Sequence, residues 1–212
     1  MMNFIKKYNV SRETFEKLKS YNQTLVEWQK KFNLVSKSSM ENAWSRHFED
    51  SAQLFEYIPE NAKSLIDFGS GAGFPAMVIA IIAGEKTPYL NVVMVESIRK
   101  KTLFLNAVAN VTKTPVTIIN DRIENIPLQN FDVITSRAMA SLKELLEYAY
   151  KFCHKNTVCI FPKGKKYASE LSEAHKFWRF KCRVVQSIVS EEGKILIINN
   201  ISKRGENRCQ EF

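Results

Sequence analysis

Hydrophobic side chains recur along this chain with two different periods, and the change falls near residue 64. From Ser11 to Phe32, the residues Phe15, Leu18, Tyr21, Leu25, Trp28 and Phe32 lie three or four positions apart, the apolar stripe of one long helix. Ser11 is placed to cap it, with Thr14 standing where a capping box carries Glu. A second helical pattern runs from about Ser39 to Tyr57, with Trp44, Phe48, Ala52 and Phe55 on one side. No strand pattern occurs before residue 60, so residues 1–60 read as a helical extension and 61–212 as the main domain, the two packed as one unit.

From Ser64 the pattern alternates. SLIDF predicts a short buried strand, followed by a glycine-rich loop and the apolar helix PAMVIAIIAG. LNVVMVE (strand), SIRKKTLFLNAVANV (helix), PVTIIN and FDVITS (strands), LKELLEYAYKFC (helix) and TVCIFP (strand) follow in order. Strands alternating with helices predict an α/β fold, a Rossmann-like, mostly parallel sheet with helices on both faces. KCRVVQSIVS and GKILIINNIS are separated only by Glu191-Glu192-Gly193, which predicts an antiparallel hairpin closing one sheet edge.

Composition narrows the class. The 212 residues are 45% hydrophobic, too apolar for a disordered chain and of a length suited to one large domain. No 18-residue uncharged run occurs, so nothing is expected to span a membrane. The start, MMNFIKKYNVSRETF, mixes its charges into an amphipathic pattern unlike a signal peptide, which makes a cytoplasmic location the expectation. Cys153, Cys159, Cys182 and Cys209 have no metal-ligand spacing and His47, His154 and His175 are scattered, so no metal is expected and the thiols read as free. The net charge is +9, of which residues 141–212 carry +6, notably through Lys163, Lys165, Lys166, Lys176, Arg179, Lys181 and Arg183. Such an excess suggests a polyanionic partner such as nucleic acid.

The chemistry centres on Asp67-Phe68-Gly69-Ser70-Gly71-Ala72-Gly73, at the end of the first strand. Glycines there allow a tight turn and close approach of a ligand to the backbone, where parallel sheets bind their ligands. The GxGxG spacing differs from the GxGxxG of dinucleotide enzymes, and no Gly-Lys-Ser/Thr phosphate cradle is present. Glu96 ends the second strand, 27 residues past Gly69, where a carboxylate can accept from the hydroxyls of a ribose. An acidic strand end, GxGxG and an acidic residue on the next strand form the pattern of class I methyltransferases that use S-adenosyl-L-methionine.

Further strings make the likeness more specific. Phe32-Asn33-Leu34-Val35, Arg46-His47-Phe48-Glu49-Asp50-Ser51, Ile66 to Pro75, Glu96-Ser97 with Arg99-Lys100-Lys101, Arg122-Ile123-Glu124, Ser136-Arg137-Ala138-Met139-Ala140-Ser141-Leu142 and Lys163-Gly164 stand in one order over roughly residues 20–165. In these the chain resembles the bacterial glucose-inhibited division protein B (RsmG/GidB) family, methyltransferases acting on guanine N7 of small-subunit (16S) ribosomal RNA. The resemblance implies S-adenosyl-L-methionine as cofactor, and 16S rRNA or the small ribosomal subunit as partner; nothing in the sequence points to an obligate protein partner. It implies that Gly69 and Phe74 contact the methionine and adenosine portions, that Ile123 and Glu124 flank the adenine, and that Arg137 belongs to the cofactor and substrate pocket. Ala76 stands where the family usually has a further glycine, a one-methyl change expected to leave binding intact.

Cofactor binding is therefore expected of Asp67, Gly69, Gly71, Gly73, Phe74, Glu96, Ile123, Glu124 and Arg137. Guanine N7 carries a lone pair and no proton, so methyl transfer to it needs alignment and no general base. Arg137, Arg122, Lys100 and Lys163 are the candidates for positioning the substrate. His47 and Asp50, three apart on a helix, are expected to help dock the helical extension over the glycine loop, while His154 and His175 carry no expected function. Phe4, Phe15, Trp28 and Phe32 read as core rather than as platforms for RNA bases. Two alternatives stay open at this level: a methyltransferase of a small molecule or protein, and a non-catalytic RNA-binding protein of the same fold.

Overall fold

The computed structural model describes residues 2–205, so Cys209 and all but the first two residues of the 204–212 tail lie outside the described residues. The front of the chain forms α1 (Met2–Tyr8), α2 (Arg12–Gln29) and α3 (Lys37–Met40). The Ser11 side chain accepts from Thr14 N at 3.0 Å, as the sequence predicts. Thr14 spends its hydroxyl elsewhere, donating to Glu85, whose carboxylate also accepts from Ser11 N. The cap of α2 is thereby tied to the main domain.

The second helical pattern does not form one regular helix. After α3 the chain turns, then passes through a π-helical segment (Trp44–Glu49), α4 (Asp50–Ala52) and a 3-10 turn (Gln53–Tyr57). Asp50 N donates to both His47 O and Ser45 O, and the Ser51 hydroxyl takes His47 O at 2.6 Å. Wide turns of this kind re-aim side chains and concentrate at functional sites. This one lets Arg46, His47 and Asp50 converge on Arg137.

The main domain runs β1 (Ser64–Phe68), α5 (Ala76–Lys86), β2 (Asn91–Val95), α6 (Arg99–Thr112), β3 (Thr117–Ile119), β4 (Phe131–Ser136), α7 (Leu142–Phe152), β5 (Cys153–Lys163), α8 (Tyr167–Ala174), β6 (Trp178–Gln186) and β7 (Lys194–Lys203). One sheet contains all seven strands in the order β3-β2-β1-β4-β5-β7-β6. The first five pair in parallel; β7 runs antiparallel between β5 and β6 and leaves β6 at the edge. The predicted hairpin is present, but with a longer turn. The Gln186 side-chain amide has two N–H donors and lies 2.8 Å from Ser190 O and 3.0 Å from Gly193 O, which closes residues 187–193 into a loop rather than strand.

Each face of the sheet has its own core. On one side Leu18, Tyr21 and Leu25 of α2 pack with Met77, Ile81, Phe104 and Leu105 of α5 and α6. On the other, Leu145, Leu146 and Phe152 of α7 pack with Phe68, Ile134 and Phe161. Phe4 and Phe15 are buried and Trp28 and Phe32 half-buried against the first core, as their helical spacing predicts. A parallel sheet covered on both faces must bury its strands, and Leu65 to Phe68 and Val133 to Ser136 are all buried. No helix among the described residues is long and apolar enough to cross a membrane.

Candidate active site

The strand order reverses between β1 and β4, where parallel sheets open a crevice beyond their carboxyl ends. Phe68 stands opposite Val95 and Ser136, so the loop after β1 emerges beside Glu96 and Arg137. The Glu96 carboxylate accepts from Gly71 N and from Ile98 N, both at 2.8 Å. It is nearly buried, and each oxygen keeps a lone pair for a ligand hydroxyl.

Gly73 adopts φ +92°, and a Cβ there would lie 2.5 Å from the Tyr21 hydroxyl oxygen. Tyr21, wholly buried, donates to Ala72 O and stacks on Phe74 with ring centroids 5.2 Å apart. Burial raises its hydroxyl well above the usual phenol range, so it stays a donor. The sequence marked Tyr21 only as one member of the α2 stripe; its contact with residue 72 is long-range and leaves no local signal. Asp67 lies under the loop. Its Oδ1 accepts from the Thr135 hydroxyl at 2.7 Å, whereas Oδ2 is buried with no hydrogen-bond partner in the structure.

Arg137 joins the sheet to the front of the chain. One guanidinium nitrogen donates to Arg46 O and to Asp50 Oδ2, each at 3.1 Å, and the other to His47 Nδ1 at 3.0 Å. The guanidinium has no acceptor, so Nδ1 accepts and the neutral imidazole carries its proton on Nε2, which is buried without a partner. The His47 ring stacks on Phe74 at 4.7 Å, and the Arg137 guanidinium stands 5.2 Å from the centre of the same ring. This geometry supports the docking role expected of His47 and Asp50.

Burial, reinforced by the Arg137 and Arg46 charges, pushes His47 down to about 4. Burial pushes the Asp67 carboxyl up to about 6. Unfolded values are about 6.5 and 3.9, so the two groups act in opposite directions. The unfolded chain takes the extra proton at His47, whose contribution is present above about pH 6.5 and lost as the pH falls toward 4. The folded chain holds the extra proton at Asp67, whose contribution is present below about pH 4 and lost as the pH rises through 6. Denaturant titrations between about pH 4 and 6.5 are expected to show stability falling more steeply with rising pH in His47→Gln than in wild type. Asp67→Asn shifts the slope the other way; parallel profiles in all three proteins would contradict these assignments.

Two cavities flank Arg137. The first, about 680 Å³, is lined by Gly69, Gly71, Phe74, Glu96, Ile123, Glu124 and Arg137 of the predicted residues, and by Arg122. Glu124 accepts from the Tyr148 hydroxyl at 3.0 Å; its own backbone N–H and then this bond hold it below the usual carboxylate range. Asp67 and Gly73 sit beneath the wall and shape it. Leu34, Val35, Lys101 and Tyr148 also line this cavity, none of them singled out from the sequence as site residues. The Gln29 amide fixes Leu34 and Val35 through their backbone groups, a local pattern without sequence periodicity. The second cavity, about 500 Å³, shares Arg137–Ala140 with the first and is lined further by Lys163, Asp50 and Glu170. Lys100 reaches neither; its Nζ lies 5.5 Å from the Phe32 ring, and Lys101, one helix position on, faces the first cavity instead.

His154 pairs with Asp132 at 3.1 Å, and Asp132 also accepts from Lys63 N and Ser64 N at the start of β1, away from both cavities. His175 stacks on Phe180. Cys159 and Cys182 are free thiols, and no cluster of three or more His, Cys, Asp or Glu that could hold a metal occurs among the described residues.

The sheet order, glycine loop and switch-point crevice make this a class I methyltransferase fold. It is similar to that of a ribosomal protein L11 methylase from Lactobacillus delbrueckii subsp. bulgaricus, with a TM-score of 0.59 and 12% identity over 73% of this chain and 78% of that one. Residues 14–199 match the sequence profile of rRNA small subunit methyltransferase G. A ribosomal RNA small subunit methyltransferase G of Paramagnetospirillum magneticum is 41% identical over 93% of this chain and 94% of its own length. One from Ruegeria sp. is 38% identical over 92% and 95%. The chain belongs to the rRNA small subunit methyltransferase G family, enzymes that use S-adenosyl-L-methionine.

Proposed function

We propose that this chain transfers a methyl group from S-adenosyl-L-methionine to N7 of a guanine in small-subunit ribosomal RNA, in the cytoplasm. The observation that carries this reading is the pair of cavities sharing one wall at Arg137–Ala140. The first fits the cofactor: Glu96 offers two lone pairs for ribose hydroxyls and Ile123 with Glu124 an apolar face beside an acceptor, while Asp67, wholly buried beneath the loop, supports the wall through Thr135. Gly69, Gly71, Gly73 and Phe74 give the backbone room and the aromatic floor. Bound there, the cofactor supplies a methyl group on a sulfonium sulfur.

The rest is alignment. Arg137, held at three acceptors, forms the rim common to both cavities and fixes their relative position. Lys163 lines the second cavity with its Nζ held by Ala140 O and Glu170. N7 presents a lone pair and loses no proton, so the enzyme needs to hold N7 in line with the methyl group rather than to supply a base. Arg122 lies on the cofactor side, and Lys100 is left for contacts outside the two cavities. Residues 1–60 and 61–212 act as one unit on this reading, since Tyr21 braces the loop and Asp50 holds Arg137.

The basic excess supports an RNA partner. Lys163, Lys165 and Lys176 are ion-paired, but Arg179, Lys181 and Arg183 have no salt bridge among the described residues. They alternate along edge strand β6 with Phe180 and Cys182, which pack into the core, so all three cations share one face. Replacing the three by alanine is expected to weaken RNA binding and lower the slope of log affinity against log salt by about 2. Cofactor affinity should not change; an unaltered salt slope would place the RNA elsewhere.

Mass mapping of small-subunit rRNA from cells with and without this protein tests the reading. Loss of one N7-methylguanine on deletion is expected, and an unchanged rRNA modification pattern would overturn it.

A further inference from the structure

Alignment of N7 cannot by itself choose guanine, because adenine presents N7 as an acceptor as well. The purines differ on the six-membered ring. Guanine offers N1–H and a 2-amino group as adjacent donors, where adenine has a bare N1 lone pair. A cavity that selects guanine therefore needs an acceptor that is fixed in place and still has capacity.

Two carboxylates line the second cavity, Asp50 and Glu170. Asp50 has both oxygens engaged, Oδ2 accepting from Arg137 and Oδ1 from the Gln53 amide, which leaves one lone pair on each. Glu170, from α8, is engaged on one oxygen only. Its Oε2 accepts from Leu142 N and from Lys163 Nζ, both at 2.8 Å. Lys163 is itself immobilised, its side chain 8% exposed and its Nζ donating to Ala140 O at 2.9 Å. Oε1 makes no hydrogen bond in the structure and is not among the atoms buried from solvent. The carboxyl is thus anchored to the first turn of α7 and to a buried cation, with one oxygen open.

We propose that Glu170 is the residue that selects guanine, its free Oε1 accepting from the N1–H and 2-amino edge of a base in the second cavity. The inference rests on the proposed function, with the acceptor guanine placed in the second cavity, beside the cofactor cavity across Arg137–Ala140. With the six-membered edge against Glu170, N7 lies on the opposite edge of the purine, free for the methyl group. Adenine in the same pose would set its N1 lone pair against the carboxylate and leave that oxygen without a donor, the arrangement by which polar sites reject analogues most strongly.

The test crosses base with residue. Small-subunit rRNA fragments are ligated with guanine, inosine (which lacks only the 2-amino group) or adenine at the methylated position. Transfer to each is measured as kcat/KM for wild type, Glu170→Gln and Glu170→Ala, with thermal melts alongside because Glu170 also caps α7. Wild type is expected to lose about 10- to 100-fold from guanine to inosine and to leave adenine unmethylated. In Glu170→Ala the guanine-to-inosine ratio should shrink to within about threefold, since the alanine meets neither base. That ratio is insensitive to a general loss of folded enzyme. An unchanged ratio in both variants, or a wild-type penalty for inosine below about threefold, would overturn the role of Glu170 while leaving the function intact. Failure of wild type to methylate the guanine fragment would instead overturn the underlying reading.

Discussion

Alanine at Gly73 is expected to destabilise the protein by about 3–5 kcal/mol and to abolish cofactor binding. Two terms add. The backbone there has φ +92°, which an L side chain rarely adopts, and the new Cβ would lie 2.5 Å from the Tyr21 oxygen and 3.1 Å from Leu105 and Met77. Tyr21 cannot give way, because it is wholly buried among Phe48, Phe74 and Phe104 and donates to Ala72 O. For a domain stable by about 5–15 kcal/mol this is a large fraction, visible as a fall in the denaturation midpoint. Gly71 provides the contrast. Its Cβ would meet nothing closer than Gly69 O at 3.8 Å and would project from the wall of the first cavity. Gly71→Ala should cost about 1 kcal/mol of stability for the left-handed backbone, yet weaken S-adenosyl-L-methionine binding about 10-fold or more by calorimetry. Normal affinity in Gly71→Ala would mean that the cofactor does not use this cavity.

The second large effect belongs to Arg137. Its guanidinium and the Asp50 carboxylate are each 18% exposed and form an ion pair at 3.1 Å. Burial alone raises the Asp50 carboxyl, and Arg137 is the largest influence that lowers it again. Arg137→Ala leaves that carboxylate with Gln53 as its remaining side-chain donor among the described residues and removes the Arg137 bond to His47 Nδ1. A loss of about 3 kcal/mol is expected, with methyl transfer reduced at least about 100-fold because the shared rim of the two cavities is gone. Arg137→Lys should recover part of the stability and little of the activity, since one ammonium cannot reproduce a planar fork spanning three acceptors. Adding Asp50→Asn to Arg137→Ala separates the roles: stability should return to within about 1 kcal/mol of wild type while transfer stays low. Recovery of activity along with stability would reduce Arg137 to a structural residue.

The centre of the sheet is readable because β1, β2 and β4 are short, largely apolar runs buried on both faces, whereas the first residues of β5 (153–156) and β6 (178–180) lie ahead of the runs that the pattern marks. The glycine loop and Glu96 were readable for the same reason: topology places strand ends together whatever the side-chain details. The π-helical segment was not readable, since Trp44, Phe48, Ala52 and Phe55 also satisfy an ordinary helical stripe. The contacts that accompany the wide turn are the Ser51 hydroxyl on His47 O, a local back-bond of the kind that bends helices, and the bond from Arg137, 90 positions away in sequence. Helix α8 is harder to read, because at eight residues its apolar stripe is only Tyr167, Leu171 and Ala174, of which Ala174 alone is fully buried. That helix carries Glu170, and so the floor of the second cavity had no sequence signature. Lys100 and Lys101 show the same limit at finer scale: a motif gives the residues, but a 100° helix step decides which one faces the ligand.

Methyl transfer to guanine N7 is distinguished from every other methylation by the chemical identity of its product. Purified protein is incubated with S-adenosyl-L-methionine labelled in its methyl group and with small-subunit rRNA from cells lacking the protein. The RNA is then digested to nucleosides and separated. The label is expected in 7-methylguanosine alone, at one position of the rRNA. Label in any other nucleoside, or an rRNA that takes up none while a protein or small molecule does, would contradict it.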